Sequence, residues 1–223
     1  MGDDNEFIKL PLEERCTHKL WKARLHGYTE AAKLFQEEED EKAPIFNQFV
    51  GHVGKFVGDS NAAAQEKGLE AVLLFVQNAA VASKTVKDVM SVIVAKCIAA
   101  PKAKTKELAV QIALMYIEIE KHEQVVEELV KGMEHKNPKI VAACIAALTL
   151  SLKEFGSKVI GIKPMLKMAG TLLEDRDKTV RDEAKVMVVE IYRWVKDAIK
   201  PQLTSLKPIQ LTELEVEFEK VNF

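Results

Sequence analysis

The side chains best suited to catalysis or metal binding are scattered through the sequence. No two histidines stand at metal-ligand spacing on a helix with a glutamate between them, and none stands beside a cysteine. The five are His18, His26, His52, His122 and His135. The Gly-x-Ser-x-Gly motif that carries a nucleophilic serine is also missing from the sequence. We therefore expect no catalytic residues, no metal site and no cofactor, and we expect that the protein is not an enzyme.

Three further groups of residues could suggest a catalytic or ligand-binding role, but each has a simpler structural explanation. Residues 51–56 superficially resemble a phosphate-binding loop, but the glycine spacing is short, Phe56 replaces the magnesium-binding hydroxyl, and no strand precedes it. Asp175 and Asp177 are better explained as turn and helix-cap residues than as a catalytic carboxylate pair. The three cysteines are an odd number among apolar neighbours, which indicates inert thiols in a reducing compartment. They are Cys16, Cys97 and Cys144.

The composition is that of a folded protein without a strong overall charge. Of 223 residues, 48% are hydrophobic and 30% are charged, and the formal net charge is −2. Such a balance gives no global attraction to nucleic acid or to an anionic membrane. The longest run without charge, residues 140–152, is too short to span a bilayer, and the acidic N-terminus does not resemble a targeting peptide. We expect a cytoplasmic protein with neither nucleic-acid nor membrane partners.

Helical periodicity runs through nearly the whole chain, whereas alternating strand patterns and hairpin turns are missing. Start signals of helices recur at Asp59, Pro101, Asn137 and Asp177, at separations of 42, 36 and 40 residues. This loose period is typical of HEAT or armadillo helix pairs. The sequence therefore predicts an all-α HEAT-repeat α-solenoid, folded as a single domain over residues 1–223. The predicted pairs cover about 11–40, 44–79, 84–121, 122–156, 158–198 and 200–222.

The turns within the pairs differ in composition from the turns between them. One between-pair turn, residues 36–41, is almost wholly acidic, whereas the within-pair turns are basic and polar with one aromatic residue. The within-pair turns are Trp21–Lys22, Ser60–Asn61, residues 101–104, residues 136–139, and residues 176–178 with Arg181. Each turn taken singly is better explained by solvation and helix capping, but the alignment of all five indicates a basic ridge for a large acidic partner.

The same turns carry a family resemblance. The matching stretches are residues 18–24, 59–61 with 67–71, 101–104, 136–140, and 180–184 with 190–194. In order and spacing they resemble the first TOG domain of the chTOG/Minispindles microtubule polymerases, over nearly the whole chain. The resemblance implies a flat paddle of six HEAT repeats whose within-pair turns bind αβ-tubulin.

The resemblance also implies a role for each turn. Trp21 would insert against β-tubulin, and Ser60 and Asn61 would contact β-tubulin as well. Lys102 and Lys104 would lie in the middle of the edge. The fourth and fifth turns would reach α-tubulin, and their site residues are Asn137, Lys139, Lys178 and Arg181. Such a domain would capture soluble, curved tubulin for a polymerase at microtubule plus ends, spindle and centrosome.

Several residues have an alternative explanation in the sequence alone. Trp21 could close the core of the first repeat, which is the more usual place for a tryptophan; its basic flanks Lys19, Lys22 and Arg24 suit an exposed corner, and with the family resemblance the interface position is favoured. Arg181 could instead pair with an aspartate of a neighbouring repeat. Trp194 shares a helical stripe with Val188, Ile191 and Val195, which predicts a core position. Met165, Met168 and Leu172 form a similar packing stripe.

Two other functions stay open at this stage. The chain could be a generic HEAT scaffold that binds a partner in its helical groove, or an unrecognised enzyme. Because a polymerase needs several tubulin-binding modules, we expect this single module to belong to a longer protein as its first one. As an isolated domain we expect it to be a monomer.

Overall fold

The computed structural model describes residues 5–223, and throughout that range the secondary structure is helical, without β-strands. This confirms the all-α prediction. The α-helices are α1 Leu12–Cys16, α2 Trp21–Glu37, α3 Pro44–Phe49, α4 Val53–Val57, α5 Ala62–Asn78, α6 Val86–Val92, α7 Ala103–Glu118, α8 His122–Gly132, α9 Pro138–Phe155, α10 Lys163–Leu173, α11 Lys178–Val195 and α12 Pro208–Glu219. A π-helical segment, Ile93–Cys97, follows α6, and short 3₁₀ helices cover Glu6–Lys9, Ala80–Lys84 and Lys196–Leu203.

The chain divides into two compact units between Val125 and Val126, a point that lies within α8. In the first unit α2 packs on α5 and α5 on α7, while α1 lies against α2 and α4 against α5. In the second unit α9 and α10 both pack on α11, and α12 packs on α11 as well. Successive pairs therefore stack through their second helices, as HEAT repeats do. The single-domain prediction and the predicted pair limits remain predictions.

The second helices begin where the start signals predict. The Asn61 side chain accepts hydrogen bonds from the N–H groups of Ala63 and Ala64 at the start of α5. Asn137 caps α9 in the same way, with Pro138 at the first helical position, and Asp177 caps α11. These caps satisfy N–H groups that have no partner inside the helix. α2 and α7 begin without a side-chain cap.

Aromatic rings fill the core of the first unit. Phe35 of α2 meets Phe46, Phe49 and Phe75, at centroid distances of 5.7, 5.5 and 5.4 Å, and Tyr28 meets Phe56 at 4.3 Å. These side chains are fully buried. The contacts of Phe35 with Phe49 and Phe75 are edge-to-face, and rings at these separations also bury a large apolar area. The first unit therefore fixes α2 and α5, the two helices that carry its first two within-pair turns.

Gly68 permits α5 to cross α4 at very short range. A Cβ atom at this position would lie 2.3 Å from the carbonyl oxygen of Phe56, which is backbone and cannot swing aside. We predict that Gly68→Ala lowers the free energy of unfolding by about 2 kcal/mol, because overpacking exceeds the gain of about 1 kcal/mol in helix propensity. Urea titration followed by circular dichroism measures the change.

Gly51→Ala is the matched control, since a Cβ at Gly51 would have no neighbour within 4 Å. We expect its unfolding free energy to stay within about 0.5 kcal/mol of the wild type. Equal stability of the Gly68 and Gly51 variants would show that the helix crossing is looser than described.

The core prediction for Trp194 is wrong. Val188 and Ile191 are fully buried, but Trp194 lies about 60° round the helix from Ile191 and is 45% exposed. Its ring lies beside Gly156, and its Nε1 donates a hydrogen bond to Glu190. Met165 and Leu172 are buried, as predicted for their packing stripe, whereas Met168 is half-buried.

The three cysteines are buried and unbridged. Burial raises the pKa of each thiol to about 12, so the reactive thiolate is scarce at neutral pH. Among the helices of residues 5–223, none is long and apolar enough to cross a membrane.

Candidate protein-binding turns

The first turn carries an exposed indole on a fixed backbone. Trp21 is the first residue of α2 and is 39% exposed, and Leu20 before it is 50% exposed. The Leu20 N–H donates to His18 Nδ1, and Arg24 Nη1 donates to the carbonyls of His18 and Lys19. Exposure of Trp21 agrees with the corner position predicted from its basic flanks. The hydrogen bonds hold the backbone that presents it.

A buried ion pair joins the first turn to the second. Arg24 donates from Nε to Asp59 Oδ2 at 2.6 Å and from Nη2 to Asp59 Oδ1 at 2.9 Å. The Tyr28 hydroxyl donates to Oδ2 at 2.8 Å, and the Asn61 N–H donates to Oδ1 at 2.9 Å. The Asp59 side chain is 1% exposed. Each carboxylate oxygen therefore accepts two hydrogen bonds, which compensates a charge that would otherwise be costly to bury.

These contacts determine how the cluster ionises. Burial acts to raise the pKa of Asp59, but hydrogen bonds from Arg24, the Asn61 N–H and Tyr28 outweigh it and hold that pKa below its usual value. Hydrogen bonding to Asp59 raises the pKa of Arg24. The pKa of Tyr28 is raised mainly by burial and, to a smaller extent, by the hydrogen bond to Asp59. The carboxylate and guanidinium are thus both charged at neutral pH, and Tyr28 is a neutral donor.

Side chains in the first turns of α5 contact the neighbouring repeat. Gln65, on the first turn of α5, donates from Nε2 to the carbonyls of Val57 and Lys96 at 3.1 and 3.4 Å. Lys102 forms an ion pair with Glu66 of α5. Lys104 is exposed and has no ion pair within residues 5–223. Three predicted turns are therefore connected in the first unit by bonds between neighbouring repeats.

The first-unit site residues divide by their role in the fold. Ser60 is exposed, with no hydrogen-bond partner for its hydroxyl in the described part of the chain. Asn61 is half-buried and uses its carbonyl oxygen to cap α5. Lys102 is exposed but engaged by Glu66, so a partner reaching it would compete with that carboxylate. Trp21, Ser60 and Lys104 are the site residues of this unit that the fold leaves available.

The second unit holds the remaining predicted residues at the starts of α9 and α11, which pack together. Asn137 caps α9, and Lys139 is exposed without an ion pair in the described residues. Lys178 pairs with Asp182 at 2.8 Å on the surface. A single edge running through all five turns remains a prediction.

Arg181 fixes its own turn. Its Nη1 donates to the carbonyls of Asp175 and Arg176 at 2.8 and 2.9 Å. Arg24 makes the same contacts from the fourth residue of α2, to carbonyls five and six positions earlier. The sequence allowed Arg181 to pair with an aspartate of a neighbouring repeat. In the structure it is Arg24 that makes such a pair, with Asp59.

The sequence interpretation missed the cluster of Arg24, Tyr28 and Asp59. Asp59 was interpreted only as a helix start signal and Arg24 only as a flank of Trp21. A signal was present, because an arginine four residues into one second helix and an aspartate one repeat later are what stacked repeats bring together. For metal chemistry, residues 5–223 contain no group of three or more His, Cys, Asp or Glu side chains placed to hold an ion.

Comparison with known proteins identifies the family. The family model described as XMAP215/Dis1/CLASP, TOG domain, matches residues 6–218. The chain is 64% identical over 221 residues to Protein mini spindles of Drosophila melanogaster, and 37% identical over 222 residues to Centrosomal protein 224 of Dictyostelium discoideum. Each alignment covers 99% of this chain and 11% of the relative, so the chain spans about a ninth of their length.

A solved structure from work on tubulin recruitment and assembly by microtubule polymerases with TOG domain arrays has the same fold. It aligns with a TM-score of 0.85 at 26% identity, over 94% of this chain and 46% of that one. The family model covers nearly all of the chain, and the fold agrees with it. This chain belongs to the XMAP215/Dis1/CLASP family of TOG domains.

Proposed function

We propose that this domain binds the αβ-tubulin heterodimer through its within-pair turns. The observation that carries the proposal is Trp21, an exposed indole at a helix start whose backbone is fixed by Arg24 and His18. An exposed tryptophan on a rigid support is the kind of residue that dominates binding energy at protein interfaces. Membership of the TOG family, and a structural relative from work on tubulin recruitment, make tubulin the partner.

The proposed contacts follow the order of the turns. Trp21, Ser60 and Asn61 contact β-tubulin, and Lys102 and Lys104 lie in the middle. The fourth and fifth turns contact α-tubulin through Asn137, Lys139, Lys178 and Arg181. The isolated domain acts as a monomer. Polymerase activity, and location at plus ends, spindle and centrosome, belong in this proposal to a longer parent protein.

The domain selects a tubulin conformation because its turns are braced. In the first unit, the ion pairs of Arg24 with Asp59 and of Lys102 with Glu66 connect neighbouring repeats near these turns. A rigid row of contacts fits a bending partner better in one of its states, and differential affinity is what selects that state. We propose that the favoured state is curved, unpolymerised tubulin.

Size-exclusion chromatography with purified unpolymerised tubulin tests the proposal. We expect the domain and tubulin to elute together as a 1:1 complex, and we expect little of the domain to sediment with stabilised microtubules. Separate elution at tens of micromolar, or stronger binding to straight microtubules, would refute the proposal. If the partner bound in the helical groove instead, substitutions along the helix faces, and not those in the within-pair turns, would abolish binding.

The basic residues of the second unit should act mainly on the rate of association. We predict that the double variant Lys139→Glu/Lys178→Glu associates with tubulin about 3- to 10-fold more slowly, with little change in dissociation, because exposed charges steer encounters. Wild-type binding should weaken as salt rises. Stopped-flow fluorescence at several salt concentrations measures both effects.

The control for this prediction is Lys163→Glu/Lys167→Glu, which reverses two exposed lysines of α10 outside the within-pair turns. We expect it to associate within about twofold of the wild type. Equal slowing in both double variants would indicate a general charge effect rather than contact at these turns.

A further inference from the structure

A cleft of about 350 Å³ in the first unit lies beside the first two turns. His18, Arg24, His52, Lys55 and Ser60 are among the residues that line it. We propose that this cleft receives an acidic side chain of the bound partner, with the Lys55 ammonium as its counter-ion. The inference rests on the proposed function, since it describes how the same partner is bound.

At the floor of the cleft, the negative charge of Asp59 is compensated by the positive charge of Arg24. Among the described lining residues Asp59 is the one carboxylate, and both its oxygens are occupied by Arg24, Tyr28 and Asn61. The Arg24 guanidinium also donates from Nη1 to the carbonyls of His18 and Lys19. The floor therefore has no free acceptor to attract a cation.

The rim has a surplus of donors. Lys55 is exposed and forms no ion pair within residues 5–223. Glu13, which contacts the lining residue His52, is already bound, since His52 Nε2 lies 2.8 Å from its Oε1 and Gln48 donates to its Oε2. His18 accepts from the Leu20 N–H through Nδ1, which places the proton of the neutral ring on Nε2 as a further donor. The rim thus suits an anion.

The position of the cleft decides which anion fits. His18 and Ser60 line the cleft and belong to the two turns that carry Trp21 and Asn61. A partner surface that covers both turns also covers Lys55 and removes water from its ammonium. A buried ammonium without a counter-charge is strongly unfavourable, so the covering surface must supply a negative group. On a protein surface the ordinary negative group is the carboxylate of Asp or Glu.

Lysine variants measure this contact with unpolymerised tubulin as the probe. We expect Lys55→Met to raise Kd about 5- to 10-fold and to flatten its dependence on salt, while Lys55→Arg stays within about twofold of the wild type. Lys87→Met is the matched control, because Lys87 is exposed on α6, also without an ion pair in the described chain, and lies outside the cleft. Its Kd should not change by more than about twofold.

Carbodiimide crosslinking provides a second readout. The reagent activates a carboxylate, which the Lys55 amine attacks to form an amide while the carbodiimide leaves as its urea. Mass spectrometry should find Lys55 joined to an Asp or Glu of tubulin, with no such link at Lys87. A Lys55→Met variant that binds like the wild type, or a Lys55→Arg variant as weak as Lys55→Met, refutes the cleft proposal alone. A wild-type domain that does not bind tubulin refutes the proposed function, and the cleft proposal with it.

Discussion

Trp21→Ala should weaken binding to unpolymerised tubulin at least about thirtyfold, which corresponds to about 2 kcal/mol. The indole is exposed in the free domain and sits on a turn held by Arg24 and His18, so little order must be gained when it binds. Removing it deletes a large apolar contact while the supporting hydrogen bonds stay in place. Fluorescence anisotropy with labelled tubulin gives the Kd, and circular dichroism should show unchanged helicity.

Trp194→Ala is the matched control for this substitution. It removes the other tryptophan of the chain, which is also exposed but lies near the end of α11, away from the predicted turns. We expect its affinity for tubulin to stay within about twofold of the wild type. Native affinity in Trp21→Ala, or an equal loss in both variants, would contradict the assignment of Trp21 as the main contact.

Features that depend on local chemistry were predictable from the sequence. Asn61, Asn137 and Asp177 cap helices because a short side chain placed before a helix reaches the free N–H groups two or three residues ahead. The helical period and the repeat spacing depend on neighbours in sequence in the same way. This is why the all-α repeat architecture could be predicted, whereas an exposed Trp21 is favoured only once the family resemblance is added to its basic flanks.

Features that depend on distant parts of the chain were not predictable in the same way. Arg24 and Asp59 are 35 positions apart, and their pairing requires the stacking of two repeats. Lys102 pairs with Glu66 through the same stacking, so a lysine predicted to bind tubulin is already engaged by a carboxylate of its own domain. Trp194 lies beside a buried stripe in sequence, yet its ring rests at the surface against Gly156 at the end of α9, a contact between two helices that periodicity does not indicate.

Asp59→Ala should cause the largest loss of stability among the substitutions considered, about 3–5 kcal/mol. The substitution leaves the Arg24 charge without its counter-ion and the Tyr28 hydroxyl without its acceptor, both inside the first unit. Because small domains are stable by only about 5–15 kcal/mol, this loss is a large share of the total. Urea titration measures it. The control Asp182→Ala, which breaks the surface pair with Lys178, should change stability far less.

The dependence of stability on pH separates the charge of Asp59 from its packing. The pKa of Asp59 is lower in the folded state than its ordinary value of 3.8, so its ionised form stabilises the fold above that value. The contribution is lost as the pH falls below 3.8 and through the folded-state pKa. Asp59→Asn keeps the size but not the charge, and should therefore lose less stability than the wild type when the pH falls from about 5 to 2. Urea titrations across this range measure both slopes. Equal slopes would mean that the Arg24–Asp59 bond contributes through shape alone, and that the first two turns are not held together by charge.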